Sequence, residues 1–577
     1  MDNKRVANMV HELADMMELQ GENSFKVGAY RKAARAIENS RVALHELEKG
    51  PIELNGVGKG TAAVIQEILD TGQLQMLQEL KAELPPELPP LLKIPGLGPK
   101  TVHTLYQSLG VTGLNELETV IEEGKVKQLP GFGPKKEKNI AEGIRKMKER
   151  PERYLLVDAY KVAEIIQARL RECPHVLRVE LGGSLRRMKE TVKDIDVVVA
   201  TEHPKEVASV LKKMPEVADV INDGDRKVSL QVEMEIPIQV DVRFVLPHQF
   251  ITTLHHFTGS KEHNVRVRRR AKTFGWKVSE YGIFDPETEE EHPFETEKDL
   301  YDRLDLPFIA PEMREDQGEF DRDEKDLPKL LTNEDYQGDL HMHTRWSDGT
   351  ASVKEMALTA QKRGYRYIAI TDHSQSLKVA GGLTAEDLKK QREEINAVNE
   401  ELSGITVLAG VEMDILPNGQ LDFPDEVLKE LDWVIASVHT AFQQDEDTIT
   451  KRMLQAMENP YVHMIAHPTG RLLNRREPYR VDMDRVFQCA KETGTILECN
   501  SNPYRLDLND AYLRRAKEEG ITIAINTDAH SPQGMELIRY GIGTARRGWL
   551  EAKDVLNTWP LEKVLSRLQA KKEGTLS

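Results

Sequence analysis

The chain has 577 residues, which at roughly 150 residues per domain predicts about four domains. Lys and Arg number 79 against 96 Asp and Glu, giving a formal net charge of −17, so chain-wide electrostatic attraction to nucleic acid is excluded. Its three cysteines form no CxxC pair, which excludes a disulfide scaffold or a thiolate zinc ribbon. The N-terminus has no signal-like apolar segment and no stretch approaches about 20 apolar residues, so we expect a cytoplasmic protein with no membrane contact.

Residues 1–150 have helical patterns separated by glycine turns. A short unit occurs three times, at 55–62, 94–101 and 129–136. A G-x-G turn that opens a helix presents unpaired N–H groups at the positive end of the helix dipole, where a phosphate binds well. One copy is more often purely structural, whereas three copies favour DNA backbone contacts, and together they resemble helix-hairpin-helix DNA-binding motifs. The residues concerned are Gly56, Gly58, Gly96, Gly98, Gly131 and Gly133. The proline-rich segment 83–92 predicts two helical domains, 1–85 and 86–150.

Short β-branched runs with period-two alternation begin after residue 151 and predict a mostly antiparallel sheet. Asp194 and Asp196 share one face of a strand, and Asp241 lies on a later strand that can pair alongside. Three converging carboxylates repel one another unless cations hold them, and oxygen ligands suit Mg²⁺ or Mn²⁺. A surface D-x-D on an edge strand is the alternative, but the third aspartate favours a two-metal nucleotidyl-transfer site.

Charged and polar residues around these strands extend this prediction. Gly183, Ser184 and Arg187 can supply donors for a triphosphate. The run 261–277 is strongly basic, which favours a patch that follows template and nucleotide phosphates over a merely solvated helix face. Residues 312–326 contain eight acids and three bases, which predicts a solvated linker.

The last block, from about residue 336, alternates strand-like and helical runs. Seven βα units in series predict a parallel sheet, most simply a closed barrel, whose active site lies at the carboxyl ends of the strands. Nine metal-binding side chains follow these runs, and a mixture of imidazole and carboxylate suits Zn²⁺, Mn²⁺ or Fe²⁺. They are His341, His343, Asp348, His373, Glu412, His439, His467, Asp528 and His530. His463 falls within a strand, and we interpret it as structural.

The motifs GSLRR…DID and VDVR, with HFTGSKEHN, resemble those of the family X DNA polymerases over about 1–315. The resemblance implies a palm at 151–255 with Asp194, Asp196 and Asp241 as catalytic metal ligands. It also implies a small α/β thumb-like domain at 256–315 that selects the nucleotide. The implied nucleotide contacts there are Phe257 and Gly259 at the sugar, Asn264 at the base edge and Arg268 on the template side.

This chain departs from the family X pattern at three positions. Val64 stands where members with deoxyribose-phosphate lyase activity carry a lysine nucleophile, and valine cannot form a Schiff base. His256 replaces the aromatic residue before Phe257, which bears on ribose exclusion. Gln239 stands where members often carry arginine.

The histidine motifs resemble those of the PHP (polymerase and histidinol phosphatase) phosphoesterases over about 336–577. The resemblance implies a (β/α)7 barrel with up to three ions, Mn²⁺ or Zn²⁺. One ion would use His341, His343, Glu412 and Asp528; a second Glu412, His439 and His467; and a third Asp348, His373 and His530. Asn500 and Arg505 are candidates for substrate contact.

The combined pattern indicates a multidomain protein in which residues 316–335 link a family X polymerase to a PHP barrel. It predicts filling of short DNA gaps in base excision repair by a monomer that uses gapped or primer-template DNA and dNTPs, with a 3′→5′ exonuclease in the barrel. Cleavage at abasic sites is left open. Two alternatives remain: the barrel is a small-molecule phosphatase, or both sites are inert and the chain is a DNA-binding scaffold.

Overall fold

The computed structural model describes residues 3–575 except 39, 41–43, 45, 46, 48, 95, 96, 150–152, 286, 289 and 290. The chain divides into two compact units, Met1–Pro151 and Glu152–Ser577. Among the described residues, no helix is both long enough and apolar enough to cross a membrane.

All regular secondary structure in the described part of the first unit is helical. Its helices are α1 (Asn3–Gln20), α2 (Ser24–Glu38), α3 (Lys59–Thr71), α4 (Gln75–Glu83), α5 (Pro99–Leu109), α6 (Leu114–Glu122) and α7 (Pro134–Glu149). One apolar core runs from Val6 to Ile144. Leu84, Leu88 and Leu91 of the proline-rich segment are buried in that core, so the two predicted helical parts share it. Prolines stop the helices here, but the leucines between them still pack inward.

The second unit begins with a five-stranded sheet in the order β2-β4-β7-β6-β5. Strands β4 and β7 are parallel and the other neighbours are antiparallel, as the alternation predicted. The elements are β1 (Tyr154–Leu155), α8 (Leu156–Glu172), β2 (Arg178–Leu181), α9 (Gly183–Arg186), β3 (Thr191–Val192), β4 (Asp194–Ala200), α10 (Pro204–Lys212), β5 (Val217–Asp223), β6 (Lys227–Glu233) and β7 (Pro237–Val245).

A small α/β domain follows this sheet. Its elements are α11 (Phe250–Thr258), α12 (Lys261–Thr273), β8 (Lys277–Val278), β9 (Ile283–Phe284), β10 (Glu291–His292) and α13 (Glu297–Arg303). A buried carboxylate ties it to the preceding sheet domain, because Glu297 accepts hydrogen bonds from Arg186 Nη2 and Arg314 Nη1, both at 2.6 Å. These two guanidinium groups outweigh burial and hold the pKa of Glu297 far below its usual range.

The acidic segment 312–326 is only partly the solvated linker that its charge predicted, since residues 321–326 are exposed but several residues before them are buried. Arg314 and Glu319 are fully buried, and Glu319 accepts a hydrogen bond from the His263 ring at 2.9 Å. Backbone N–H groups of Asp316 and Gln317 also donate to the Glu319 carboxylate. The charge of the segment did not predict this burial because Arg314 pairs with Glu297 and Glu319 with His263, and charged side chains can be buried when they are paired.

The rest of the second unit is a barrel of seven parallel strands in sequential order, which confirms the predicted architecture. Its strands are β11 (Gly338–Asp339), β12 (Tyr367–Ile370), β13 (Thr406–Asp414), β14 (Trp433–Ser437), β15 (Met464–Ile465), β16 (Ile496–Asn500) and β17 (Ile523–Asn526). Its helices are α14 (Val353–Lys362), α15 (Ala385–Glu401), α16 (Asp425–Leu428), α17 (Glu446–Glu458), α18 (Met483–Thr493), α19 (Asp510–Glu519), α20 (Ile538–Arg547) and α21 (Leu561–Lys572). A parallel bridge between Met342 and Ala529 joins the last strand region to the first.

Candidate active sites

Three carboxylates lie on neighbouring strands of the five-stranded sheet, which corresponds to the predicted palm. Asp196 on β4 lies directly opposite Asp241 on β7, and Asp194 lies two residues earlier on the same face as Asp196. Burial and the neighbouring Asp194 raise the pKa of Asp196 to about 7. A carboxyl group disfavoured as an anion by its neighbours becomes stable as an anion when a cation lies among them. The trio therefore fits a divalent ion bound through oxygen.

The third aspartate has a different environment from its neighbours. Asp241 accepts hydrogen bonds from Gln239 Nε2 at 2.9 Å and pairs with Lys227 Nζ at 2.7 Å. Despite burial, these donors lower its pKa. Sequence analysis did not predict the contact of Lys227 with Asp241. Lys227 lies on β6, two residues before Ser229, which is opposite Asp241 on β7. Because side chains alternate along a strand, Lys227 and Ser229 lie on the same face as Asp241, and this alternation was the available signal.

Gly183, the first of the predicted triphosphate donors, lies against the aspartates. Gly183 opens α9 with a φ of +61°, and a Cβ there would be 2.4 Å from Asp196 Oδ2. A side chain at this position would clash with the carboxylate, so only glycine lets α9 and Ser184 approach the trio this closely. The backbone N–H of Gly182 also donates to Asp196 O at 2.8 Å.

Most of the predicted nucleotide contacts lie together at the junction of palm and thumb. Arg187 Nη1 donates to Thr258 O at 2.5 Å, and a Cβ on Gly259 would lie 3.6 Å from that same nitrogen. Asn264 donates through Nδ2 to His256 O at 2.7 Å. The buried Asn264 Oδ1 has no hydrogen-bond partner among the described residues, so it is available to a ligand.

The remaining two predicted contacts flank this cluster. The ring of Phe257 is covered by the Arg243 guanidinium, 3.6 Å from the ring centroid. Arg268 lies on α12 four residues after Asn264, on the same side of the helix. Among the described residues, Arg268 forms no hydrogen bond or ion pair with the aspartates.

The glycine hairpins of the first unit have the predicted geometry where the structure describes them. Backbone N–H groups of Val57, Leu97 and Phe132 each donate to the carbonyl three residues earlier, which makes the same turn three times. Gly58 and Gly98 are the N-caps of α3 and α5, and Gly133 O accepts from the first turn of α7. Gly56 and Gly131 have positive φ. Gly96 lies outside the described residues. Val64 packs in the core on α3.

Glu412, near the end of β13, is the centre of the histidine cluster in the barrel. Its Oε1 lies 3.2 Å from His439 Nε2 and 3.0 Å from His467 Nε2. Its Oε2 lies 2.9 Å from His373 Nδ1. One carboxylate thus faces ligands on two sides, which is the arrangement of a group that bridges two ions.

A second group lies on the far side of Glu412. His341 Nε2 and His343 Nε2 are 3.5 and 3.6 Å from Glu412 Oε2, and 3.5 and 3.2 Å from Asp528 Oδ1. A third group surrounds Asp348, which lies 3.3 Å from His530 Nε2 and 3.7 Å from His373 Nε2. His373 therefore contacts both Glu412 and Asp348, through its two ring nitrogens.

The side chains of these three groups leave buried ring nitrogens without partners, and divalent cations could bind those nitrogens. His341 Nε2 and both ring nitrogens of His343 are buried without a hydrogen-bond partner among the described residues, and such atoms destabilise a fold unless a ligand binds them. Although burial opposes it, the neighbouring carboxylates raise the pKa of His439 to about 10 and that of His530 to about 9. The carboxylates thus attract positive charge, which metal ions can supply in place of protons.

Two carboxylates behind the cluster orient its histidines, and sequence analysis missed both. His341 Nδ1 donates to Glu498 Oε1 at 2.8 Å, and His439 Nδ1 donates to Asp414 Oδ1 at 2.6 Å. Such bonds fix the tautomer that presents Nε2 to a metal. The available signal was an acid inside an otherwise apolar strand, as in β16 and β13.

The residue predicted to be structural lies away from the cluster, whereas the two predicted substrate contacts lie beside Asp528. His463 Nδ1 accepts from the Val434 N–H at 3.0 Å while its ring stacks on Trp433, away from the cluster. Asn500 Nδ2 donates to Asp528 Oδ2 at 3.1 Å, so it supports a candidate ligand. Arg505 Nε lies 3.9 Å from the same carboxylate oxygen.

Four family models match successive parts of the chain. A helix-hairpin-helix domain matches residues 1–74, and a SAM-like helix-hairpin-helix tandem matches 88–146. The DNA polymerase beta thumb matches 253–315, and the PHP domain matches 339–502.

One curated relative spans almost the whole chain. It is the DNA polymerase/3′-5′ exonuclease PolX of Bacillus subtilis (strain 168), 46% identical over 98% of this chain and 99% of its own length. The chain belongs to the PolX family. Two further relatives match a smaller share of this PolX family member. A probable phosphatase of Thermoanaerobacter sp. (strain X514) is 31% identical over 41% of the chain and 95% of its own length. A probable phosphatase of Clostridium acetobutylicum is 30% identical over 34% of the chain and 79% of its own length.

Proposed function

We propose that this protein is a DNA-directed DNA polymerase that fills short gaps and carries a 3′→5′ exonuclease in its barrel. The observation that carries the proposal is the presence of two separate sets of candidate metal ligands in one chain, three aspartates on neighbouring strands and a cluster of imidazoles and carboxylates. The family models for a polymerase thumb and a PHP domain accompany these clusters, and PolX membership supports both activities.

In the polymerase reaction, Asp194, Asp196 and Asp241 would hold Mg²⁺ or Mn²⁺. The ions supply charge neutralisation at the attacking and leaving oxygens of an in-line displacement. Ser184 and Arg187 bind the triphosphate, while Gly259 and Asn264 lie where sugar and base would be held. The buried, unpartnered Asn264 Oδ1 supports a base-edge contact.

In the barrel, Mn²⁺ or Zn²⁺ would be held by His341, His343, Glu412 and Asp528, by Glu412, His439 and His467, and by Asp348, His373 and His530. Such ions lower the pKa of water and neutralise the phosphodiester. Asp414 and Glu498 keep two of the imidazoles in the ligating tautomer.

The substrate is gapped or primer-template DNA, and the glycine hairpins contribute backbone phosphate contacts that are independent of sequence. A gap-filling polymerase with an excising site suits base excision repair in the cytoplasm, with the protein acting as a monomer. The exonuclease would remove mismatched or blocked 3′ ends before extension.

The second candidate is a small-molecule phosphatase in the barrel, favoured by the relatives named as probable phosphatases. We expect the protein with Mn²⁺ to digest 3′-labelled single-stranded DNA at least about 100-fold faster, in kcat/KM, than it hydrolyses a sugar phosphate. A duplex with a paired 3′ end serves as the comparison substrate. Faster turnover of the sugar phosphate would assign the barrel to the phosphatase class instead.

Metal binding to the barrel should weaken as pH falls. Since the pKa of His439 is raised to about 10 and that of His530 to about 9, both imidazoles carry protons at pH 7 that a metal has to displace. We expect the Kd for Mn²⁺ to rise up to about 100-fold per displaced proton between pH 8 and pH 6. Calorimetry in two buffers of different ionisation enthalpy measures the protons released. The Asp194→Ala, Asp196→Ala variant serves as the protein, so that palm binding does not contribute, and binding without proton release contradicts the prediction.

A further inference from the structure

Helix α20 of the barrel follows the last residue of the histidine cluster in the sequence and packs against the palm. It begins eight residues after His530 and ends at Arg547, whose side chain is only 7% exposed. Tyr540 on this helix belongs to the apolar core of the palm, as does Leu506 from the barrel. A Cβ on Gly543 would lie 2.4 Å from the end of the Met188 side chain, so helix and palm are in close contact.

Arg547 contacts the palm beside Arg187, the arginine that is predicted to bind the triphosphate. Its Nη1 donates to the backbone carbonyl of Arg187 and to Glu315 Oε1, each at 2.9 Å. Its Nε donates to Asp510 Oδ2 at 2.9 Å, which fixes the guanidinium from the barrel side. Buried charge-assisted bonds of this kind have a defined geometry.

Glu315 connects the two arginines. Its Oε1 accepts from Arg187 Nε at 3.0 Å and from Arg547 at 2.9 Å. Although burial opposes it, the two guanidinium groups lower the pKa of Glu315, so the carboxylate is charged. Arg187 is therefore held at its backbone by Arg547 and at its side chain by a carboxylate that Arg547 also binds.

We propose that Arg547 is a positioning residue for nucleotide binding in the palm, so that the barrel domain completes the polymerase site. This inference rests on the proposed polymerase function and on Arg187 as a triphosphate contact. Arg547 touches no reacting atom; it determines where Arg187 points. Loss of such a support weakens ground-state and transition-state binding alike, which raises KM and leaves kcat largely unchanged.

The test is single-nucleotide gap filling by Arg547→Met, a substitution that keeps an unbranched side chain and removes the guanidinium with its charge. We expect the KM for the incoming dNTP to rise about 10-fold with kcat within about 2-fold of wild type. Mn²⁺-dependent digestion of single-stranded DNA by the same preparation should be unchanged. Arg547→Lys, which retains a cation beside Glu315, should recover part of the affinity.

The neighbouring Arg546 provides a matched control. It lies on the same helix as Arg547, pairs with Glu312 at 2.8 Å and donates to Leu331 O, and among the described residues it bonds to neither Arg187 nor Glu315. Arg546→Met should leave the KM for dNTP unchanged. If both variants raise KM equally, or if Arg547→Met lowers kcat and exonuclease together, the effect is a general loosening and the inference is wrong.

A second pair of variants covers the case in which Arg547→Met does not fold. Glu315→Gln keeps the shape of the bridging side chain and should raise the KM for dNTP, whereas Glu312→Gln should not. If wild type extends primers and Glu315→Gln has wild-type KM, the inference fails and the proposed function stands. If wild type extends no primer, the proposed function itself fails, and this inference with it.

Discussion

The double variant Asp194→Ala, Asp196→Ala is expected to lose at least about 1000-fold in primer-extension rate on gapped DNA with Mg²⁺ or Mn²⁺. A loss of that size corresponds to about 4 kcal/mol of transition-state stabilisation. The reason is that Asp196 lies opposite Asp241 and beside Asp194, so removing two of the three carboxylates removes most of the negative charge that holds the cations. Steady-state extension of a labelled primer measures the loss.

The same variant should retain Mn²⁺-dependent digestion of single-stranded DNA, because its substitutions lie outside the histidine cluster. Retention of digestion also reports that the protein is folded. Equal primer extension by wild type and variant would contradict the assignment of the palm site. It would favour the alternative in which the chain is a DNA-binding scaffold.

Glu412→Gln should reduce 3′→5′ digestion of DNA by at least about 100-fold while primer extension remains. This substitution keeps the shape of the side chain but removes the charge shared by the imidazoles that surround it. Two of them, His439 and His467, approach Oε1 within 3.2 Å, so two candidate ion sites lose their common ligand. Digestion of 3′-labelled DNA and the Mn²⁺ content after dialysis measure the two effects.

The two variants are expected to lose opposite activities, which tests whether the two sites act independently. Asp194→Ala, Asp196→Ala should lose extension and keep digestion, and Glu412→Gln should do the reverse. Full digestion by Glu412→Gln would remove the barrel cluster from the reaction. Loss of both activities in either variant would show that the two sites depend on one another for folding.

The parts of the candidate sites that sequence could predict are those in which periodicity fixes position. Side chains after successive parallel strands meet at one end of a barrel, so His341, Glu412 and Asp528 could be grouped without coordinates. Asp194 and Asp196 share a face because residues alternate along a strand. The same rules predicted the order of the barrel strands and the mostly antiparallel sheet.

The remaining features depend on contacts between distant segments, and composition does not predict those. Glu498 lies in an apolar strand, and its bond to His341 spans 157 positions in the sequence. Lys227 reaches Asp241 only because β6 pairs with β7 in one particular register. The acidic segment 312–326 looked solvated because its average charge conceals the two buried residues, Arg314 and Glu319.

The apolar contact between palm and barrel has a consequence for dissecting this protein. Leu506 and Tyr540 are barrel residues by position in the sequence, yet they lie in the core that stabilises the palm. A fragment truncated near residue 335 would keep every palm strand but leave a hydrophobic depression open to water. Barrel residues therefore complete the apolar core of the palm, and we expect the truncated fragment to be less stable than the full chain.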